Sequence, residues 1–278
     1  QGFVFCKFNH RVVHVKALVT GANGFLGFCL VQQLLERGYE VTAMVRKPHP
    51  PFASMDVSTV MGDIRSFDRV FEACSNQNLV FHTAAISGIW GPWKQFHGTN
   101  TIGTRNVVEA CLQHQIKRLI YTSSPSVTFD GHHQNNTDES APYAKDWLCH
   151  YPHSKALAEK YVLEANDDEE LMTCALRPHL IWGPGDHHLI PRLIQRAKSN
   201  QLRRVGDGSN LIDTIFVENA AIAHIQAAEA LEALLVAPRR AAAPAAAEEA
   251  GPLPGPGEDS QIAAALARCE GLMQAGRF

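Results

Sequence analysis

From residue 15 onward the chain alternates short apolar runs with longer stretches whose apolar residues recur at helical spacing. Residues 15–20 read as a buried strand that stops at Gly21. Phe25, Leu26, Leu30, Leu34 and Leu35 then fall at helical spacing between Gly24 and Arg37, with Gly38 placed as a stop. Further strands are predicted at 39–45, 57–61, 79–82, 118–122 and 173–177, and helices at 67–74, 101–114 and 151–165. Strand and helix in this regular alternation imply βαβ units. The expected fold class is α/β, a doubly wound parallel sheet covered on both faces.

Beyond Gly183 the alternation loosens, and 190–197 and 217–235 read as helices of a smaller lobe beside the sheet. Residues 238–259 are rich in Ala, Pro, Gly and Glu and lack core periodicity, which predicts a disordered linker. A last helix is expected at 260–275, with Ser260 as its cap and Ile262, Leu266, Cys269 and Met273 on one face.

Composition narrows the function class. A net charge of −3 over 278 residues offers no electrostatic footprint for nucleic acid. Seven dispersed cysteines without CxxC spacing point to reduced thiols and a cytoplasmic setting. No apolar run is long enough to span a bilayer, and the first residues lack the pattern of a secretory signal. Peripheral membrane association is left open.

The chemistry-bearing motifs sit at strand ends. TGANGFLG places Gly21, Gly24 and Gly27 between the first strand and first helix, together with Asn23, Phe25 and Leu26. Glycines at that spacing allow a tight turn, close approach of a diphosphate and close helix–strand packing, while the helix N-terminus offers oriented N–H groups. A Rossmann-like dinucleotide site follows. Arg46 and Lys47 end the second strand where a carboxylate would hold the ribose hydroxyls of NAD, so NADP(H) is the favoured cofactor and NAD(H) the other. Asp63 and Ile64 follow the third strand, where the carboxylate can accept from the adenine amino group. Ala84 and Ala85, after the fourth strand, leave room for backbone to approach the cofactor.

Tyr151 and Lys155 stand at i and i+4 on a predicted helix and so share a face. A phenol is too weak an acid for work at neutral pH, and a nearby ammonium is expected to lower its pKa. Lys155 can also hold the nicotinamide ribose. Ser124, in YTSS at the end of the fifth strand, is the expected carbonyl-orienting hydroxyl with Ser123 as its support. Trp90, Trp93 and Trp182 are candidates for an apolar substrate pocket, against the alternative that they are core.

With TGANGFLG, GDI, VFHTAA, TNTIGTRNV, YTSS, YPHSK, LRPHLIWGPGD and IDTIFVENAA in order, the chain resembles an extended short-chain dehydrogenase/reductase of the 3β-hydroxysteroid dehydrogenase/isomerase family. GIWGPW, SPSVTFDG and IWGPGDHHLIPRLI are similar to bacterial reductases of 2-alkyl-3-oxoalkanoic acids and to sterol-4α-carboxylate 3-dehydrogenases. The resemblance implies Tyr151 as general acid/base, Lys155 as its electrostatic partner and Ser124 as the carbonyl-orienting hydroxyl. It also implies Pro178 against the nicotinamide and Asn100 positioning the catalytic strand end. Family members finish their substrate lobe with a strand and helical segment where this chain has its Ala/Pro-rich stretch, so the lobe reads as incomplete. The division expected is 1–182 for the dinucleotide-binding domain with the catalytic pair, 183–236 for substrate-lobe elements, and 237–278 for the linker and terminal helix.

The reading is a hydride-transferring oxidoreductase acting on a hydrophobic small molecule, a β-keto or 3-hydroxy acid or steroid, and the resemblance implies a homodimer. The alternatives are a nucleotide-sugar epimerase of the same fold and a nucleotide-binding protein impaired by its C-terminus. A metal-assisted hydrolase has only the pairs His132-His133 and His187-His188 in its favour. Adjacent side chains point apart and no carboxylate or Cys completes a ligand set, so no metal site is assigned.

Overall fold

A computed structural model of the chain describes residues 15–236, apart from 188 and 205; the linker and terminal helix expected over 237–278 fall outside the described residues. Six strands form one parallel sheet: β1 (Lys16–Thr20), β2 (Glu40–Val45), β3 (Val57–Met61), β4 (Leu79–His82), β5 (Arg118–Thr122) and β6 (Met172–Leu176). Their order is β3-β2-β1-β4-β5-β6, and every adjacent pair is parallel. Chain direction across the sheet reverses between β1 and β4, which opens a crevice above their carboxyl ends. This is the doubly wound Rossmann-like sheet that the alternation predicted.

Because successive strand residues point to opposite faces, each strand feeds two cores. Ala17, Val19, Phe81 and Ile120 pack with Leu26, Leu30 and Leu34 of α1 (Phe25–Glu36) and with Ala220, Ile225 and Ala228 of α7 (Val217–Val236). On the other face Leu18, Val80, Leu119 and Tyr121 pack with Val70, Val107, Val108, Ala158 and Val162. Those residues come from α2 (Phe67–Cys74), α4 (Gly103–Gln113) and α5 (His150–Glu164).

The structure departs from expectation in three places. The helix predicted to start near 101 begins at Trp93: α3 (Trp93–Phe96) runs through a π-helical turn, His97–Ile102, into α4. Gly98 and the β-branched Thr99 and Thr101 weaken the helical signal there. The turn buries Thr99, Asn100 and Thr101. Second, residues 217–235, grouped by sequence with the smaller lobe, belong instead to the layer over the main sheet. The small residues along α7 let it lie close to α1 and the β5–β6 edge. Gln33 Nε2 donates to the Glu218 carbonyl at 3.1 Å, and Arg118 pairs with Glu232 at 2.6 Å. Third, β7 (Leu180–Trp182) and β8 (Thr214–Phe216) form a separate two-stranded parallel sheet that the loosened pattern concealed. Between them, α6 (Ile190–Lys198) has no buried residue, although Asp186 caps its start by accepting from the Leu189 and Ile190 amides at 3.1 and 2.7 Å.

Candidate active site

The cleft lies where the sheet order reverses. Gly21, Asn23 and Gly24 line it from the β1–α1 turn, Met44, Val45 and Arg46 from β2, Gly62, Asp63 and Ile64 after β3, and Thr83 to Ile86 after β4. Gly21 has φ +67°, and a Cβ there would stand 2.8 Å from the Ala84 Cα, so the turn accepts no side chain. Gly27 is packed against the Gly21 carbonyl and the Thr83 hydroxyl. Gly24 is the N-cap of α1 and supplies no side-chain acceptor, and the first turn carries no acidic residue. A helix N-terminus left in this form, beside a turn whose floor is backbone, fits a diphosphate. Asp63 is gripped by Arg65, whose Nε and Nη2 donate to its two oxygens at 3.0 and 2.8 Å. That hydrogen bonding, helped by the charge of Arg46, holds the carboxyl below its ordinary range.

Ser124, Tyr151 and Lys155 lie at the neighbouring edge, the first after β5 and the other two on α5. Ser124 follows β5, accepts a hydrogen bond from the Ser126 amide at 3.3 Å and shares one with the Ser126 hydroxyl at 2.8 Å. It also faces the Tyr151 phenol and favours its ionised form. Burial raises Tyr151 above the ordinary phenol range, opposed by the Ser124 hydroxyl beside it. That direction corrects the expectation of a phenol lowered by its ammonium neighbour, because desolvation is the larger effect in this arrangement. Lys155 is 2% exposed, and its Nζ donates to the Thr122 carbonyl at 2.5 Å and stands 4.2 Å from the centre of the Tyr121 ring. Desolvation pulls its pKa down to about 7, against the attraction of Glu159.

A chain of buried polar contacts joins the cleft to α5. Thr20 Oγ1 accepts from the Ala84 amide at 3.3 Å and shares a hydrogen bond with His82 Nδ1 at 2.7 Å. His82 Nε2 then donates to Thr104 Oγ1 at 2.9 Å, whose own proton goes to the Asn100 carbonyl at 2.6 Å. Burial lowers the His82 pKa to about 3, so the imidazole is neutral and its Nδ1 accepts from the Thr20 hydroxyl. Asn100, in the π-helical turn, works as a bracket. Its side chain both accepts from and donates to Ile86 backbone groups at 2.8 and 2.9 Å, and donates to Ser154 Oγ at 3.0 Å. Ser154 in turn donates to the Tyr151 carbonyl at 2.8 Å.

Residues 18–239 match the 3-beta hydroxysteroid dehydrogenase/isomerase family. The chain belongs to that family. A 2-alkyl-3-oxoalkanoate reductase of Stenotrophomonas maltophilia is 47% identical over 219 residues, which are 78% of this chain and 66% of that protein. The decarboxylating sterol-4-alpha-carboxylate 3-dehydrogenase of Mus musculus is 40% identical over 218 residues, 78% of this chain and 60% of that one. The chain thus spans less than two thirds of the length of these relatives. Among solved structures, MoeE5 in complex with UDP-glucose and NAD aligns with a TM-score of 0.66 at 30% identity, covering 76% of this chain and 71% of that one.

Set against this family, the residues singled out by sequence separate into groups. Gly21, Asn23, Gly24, Arg46, Asp63, Ile64, Ala84 and Ala85 come together in the cleft. Phe25, Leu26 and Gly27 bring backbone to it, while Leu26 points into the core and Phe25 packs against that core. Lys47 is exposed and does not line the cleft. Pro178 lies two residues beyond β6, half-buried and outside the cleft lining. The buried Ser123 hydroxyl has no hydrogen-bond partner among the described residues, and the Ser123 amide donates to the Leu176 carbonyl at 2.6 Å. The three tryptophans do not share one environment. Trp90 is 90% exposed, Trp93 stacks on His153 with ring centres 4.7 Å apart, and Trp182 packs edge-on against Phe216. Thr83, Ile86 and Thr99 line the cleft without having been singled out; Thr83's place just past β4 was the available signal. Glu159, Arg177 and Tyr143 were missed altogether. Glu159 repeats the Tyr151–Lys155 spacing one turn further on, which is the sign that would have found it.

Proposed function

We propose that this chain is an NAD(P)(H)-dependent oxidoreductase that interconverts a secondary alcohol and a ketone on a lipid-like 3-hydroxy or 3-oxo acid. The observation that carries the reading is the placement of Ser124 at the end of β5 and of Tyr151 on the first turn of α5 beside the glycine-lined cleft, with Lys155 buried one helical turn away. The nicotinamide, when bound, supplies or accepts the hydride. In reduction, Ser124 orients the carbonyl oxygen and Tyr151 delivers its proton there. In oxidation Tyr151 takes the alcohol proton back. Lys155 stabilises the phenolate in both directions, which fits its place on the same face of α5. Ile64, Ala84 and the α1 N-terminus hold the dinucleotide, and Arg46 on the cleft wall supports a preference for the 2′-phosphate of NADP(H).

The substrate class rests on the relatives. A 2-alkyl-3-oxoalkanoate and a sterol-4-alpha-carboxylate oxidised at carbon 3 share one arrangement: a carboxylate two carbons from the reacting one, on a large apolar body. The test is oxidation of a 2-alkyl-3-hydroxy acid such as 2-butyl-3-hydroxyoctanoic acid by NADP+ and by NAD+, followed by absorbance of the reduced nicotinamide. Turnover with NADP+ that Tyr151→Phe abolishes is the expected result. Turnover that survives in Tyr151→Phe removes the mechanism, and epimerisation of a nucleotide sugar without net nicotinamide reduction removes the reaction class.

A further inference from the structure

Glu159 is a fully buried carboxylate, and burying one is costly unless it is paired and hydrogen-bonded. Two segments converge to satisfy it. Arg177, just past β6, donates to it from Nε at 3.1 and 3.2 Å and from Nη2 at 2.5 Å. The Tyr143 hydroxyl, from the segment before α5, donates to the same carboxylate at 2.9 Å. On α5 itself Glu159 stands four residues after Lys155, on the same face. We propose that Glu159 is a positioning residue of the active site, acting through Lys155 as the buried counter-charge of its ammonium, while its pairing with Arg177 holds the Arg177–Pro178 corner against the catalytic helix.

The charge arrangement around Lys155 supports this assignment. From β5 it meets the Tyr121 ring and the Thr122 carbonyl, its charge acts on the neutral His82 of β4, and along α5 the carboxylate of Glu159 acts on Lys155. From α7, His224 reaches only as far as the Thr122 hydroxyl, at 2.8 Å. Within this set Glu159 is the formal negative charge. Glu159 in turn faces Arg177 and Tyr143, and Tyr143 carries Lys160 over its ring at 4.7 Å. A buried pair of Glu159 and Arg177 alone would be neutral and replaceable by apolar side chains. Its position one turn from a buried lysine gives the carboxylate a second use: it favours the charged form of a group that desolvation drives toward neutrality. The assignment rests on the Tyr151–Lys155 chemistry proposed above.

The test uses the full chain with its lysine side chains 13C-labelled at Cε, the Lys155 signal being identified by its loss in Lys155→Gln. Glu159→Gln should move the Lys155 titration midpoint down from about 7 by roughly one pH unit or more. The alkaline limb of kcat in NADPH-dependent reduction of a 2-alkyl-3-oxo ester should move down with it, at little change in KM. Glu159→Asp, which keeps the charge, should restore most of both. A folded Glu159→Gln variant with an unmoved midpoint, losing kcat evenly across pH, overturns the assignment. If Glu159→Gln fails to melt cooperatively, Glu159→Asp decides. It must shift the midpoint downward by a smaller amount, and an unmoved midpoint there also overturns it. A shifted midpoint in a chain that reduces no carbonyl compound would sink the oxidoreductase reading and leave the counter-charge standing.

Discussion

The two halves of the site are made of different materials. The cleft over β1, β2 and β3 is formed by main chain, small residues and partly exposed polar side chains such as Asp63 and Arg46. The catalytic edge over β4, β5 and α5 is formed by buried, hydrogen-bonded side chains: His82, Asn100, Ser154, Lys155 and Glu159 are each 2% exposed or less. A site that only holds a ligand can use backbone N–H groups and shape. A site that moves protons needs groups whose charge is costly enough to be tuned. The difference predicts that the cleft is governed by sterics and is nearly indifferent to pH, whereas the catalytic edge is governed by desolvation and is sensitive to it.

The largest expected effect comes from separating the halves. Tyr151→Phe should lower kcat by about 1,000-fold or more while the dissociation constant for NADPH, read by tryptophan fluorescence, stays within about twofold; a parallel loss of binding would merge them. Next, Gly21→Val should cost roughly 2–4 kcal/mol of stability and weaken cofactor binding severely, because φ is +67° and the added Cβ meets Ala84 backbone at 2.8 Å. Native affinity in that variant would mean the cleft is not steric in kind.

A smaller effect concerns acid. Burial holds His82 at about 3 and His224 at about 4 in the folded chain, against 6.5 for a free imidazole. The unfolded chain therefore binds more protons between these values, and stability is complete above about pH 6.5 and lost as pH falls toward 3–4. Each group should remove roughly 2 kcal/mol between pH 7 and 4.5 in urea unfolding. His224→Gln should flatten that slope, and an equally steep slope in the variant would place the acid sensitivity elsewhere. The smallest effect separates two neighbours on one loop. Arg46→Asp should shift preference toward NADH by about tenfold or more, while Lys47→Ala, outside the cleft, should leave it within about twofold.

What was legible followed the physics of short-range patterns. The strands and helices up to β6 could be read because a buried parallel strand must be continuously apolar and its covering helix must present one apolar stripe. Glycines at the β1–α1 turn could be read because backbone geometry leaves no other residue type suitable. The π-helical turn carrying Asn100 could not, since its own residues are poor helix formers and its register is set by contacts to Ile86 and Ser154. The lowered phenol expected at Tyr151 failed for a related reason: an i,i+4 spacing places two groups on one face but does not say how far both are removed from water.

Two helices close to each other in sequence mark the boundary. Both α6 and α7 could be read as helices from spacing alone, yet α7 is buried along eight residues and α6 along none. Local pattern determined that these segments are helical, that the first two thirds of the chain form a Rossmann-like sheet, and which strand ends carry glycine, serine, tyrosine and lysine. Only the tertiary structure decided that α7 covers the main sheet and that Glu159 meets Arg177 and Tyr143. The physical reason is range. Propensity and periodicity act within one or two helical turns, while desolvation and ion pairing depend on which distant segments the fold brings into contact.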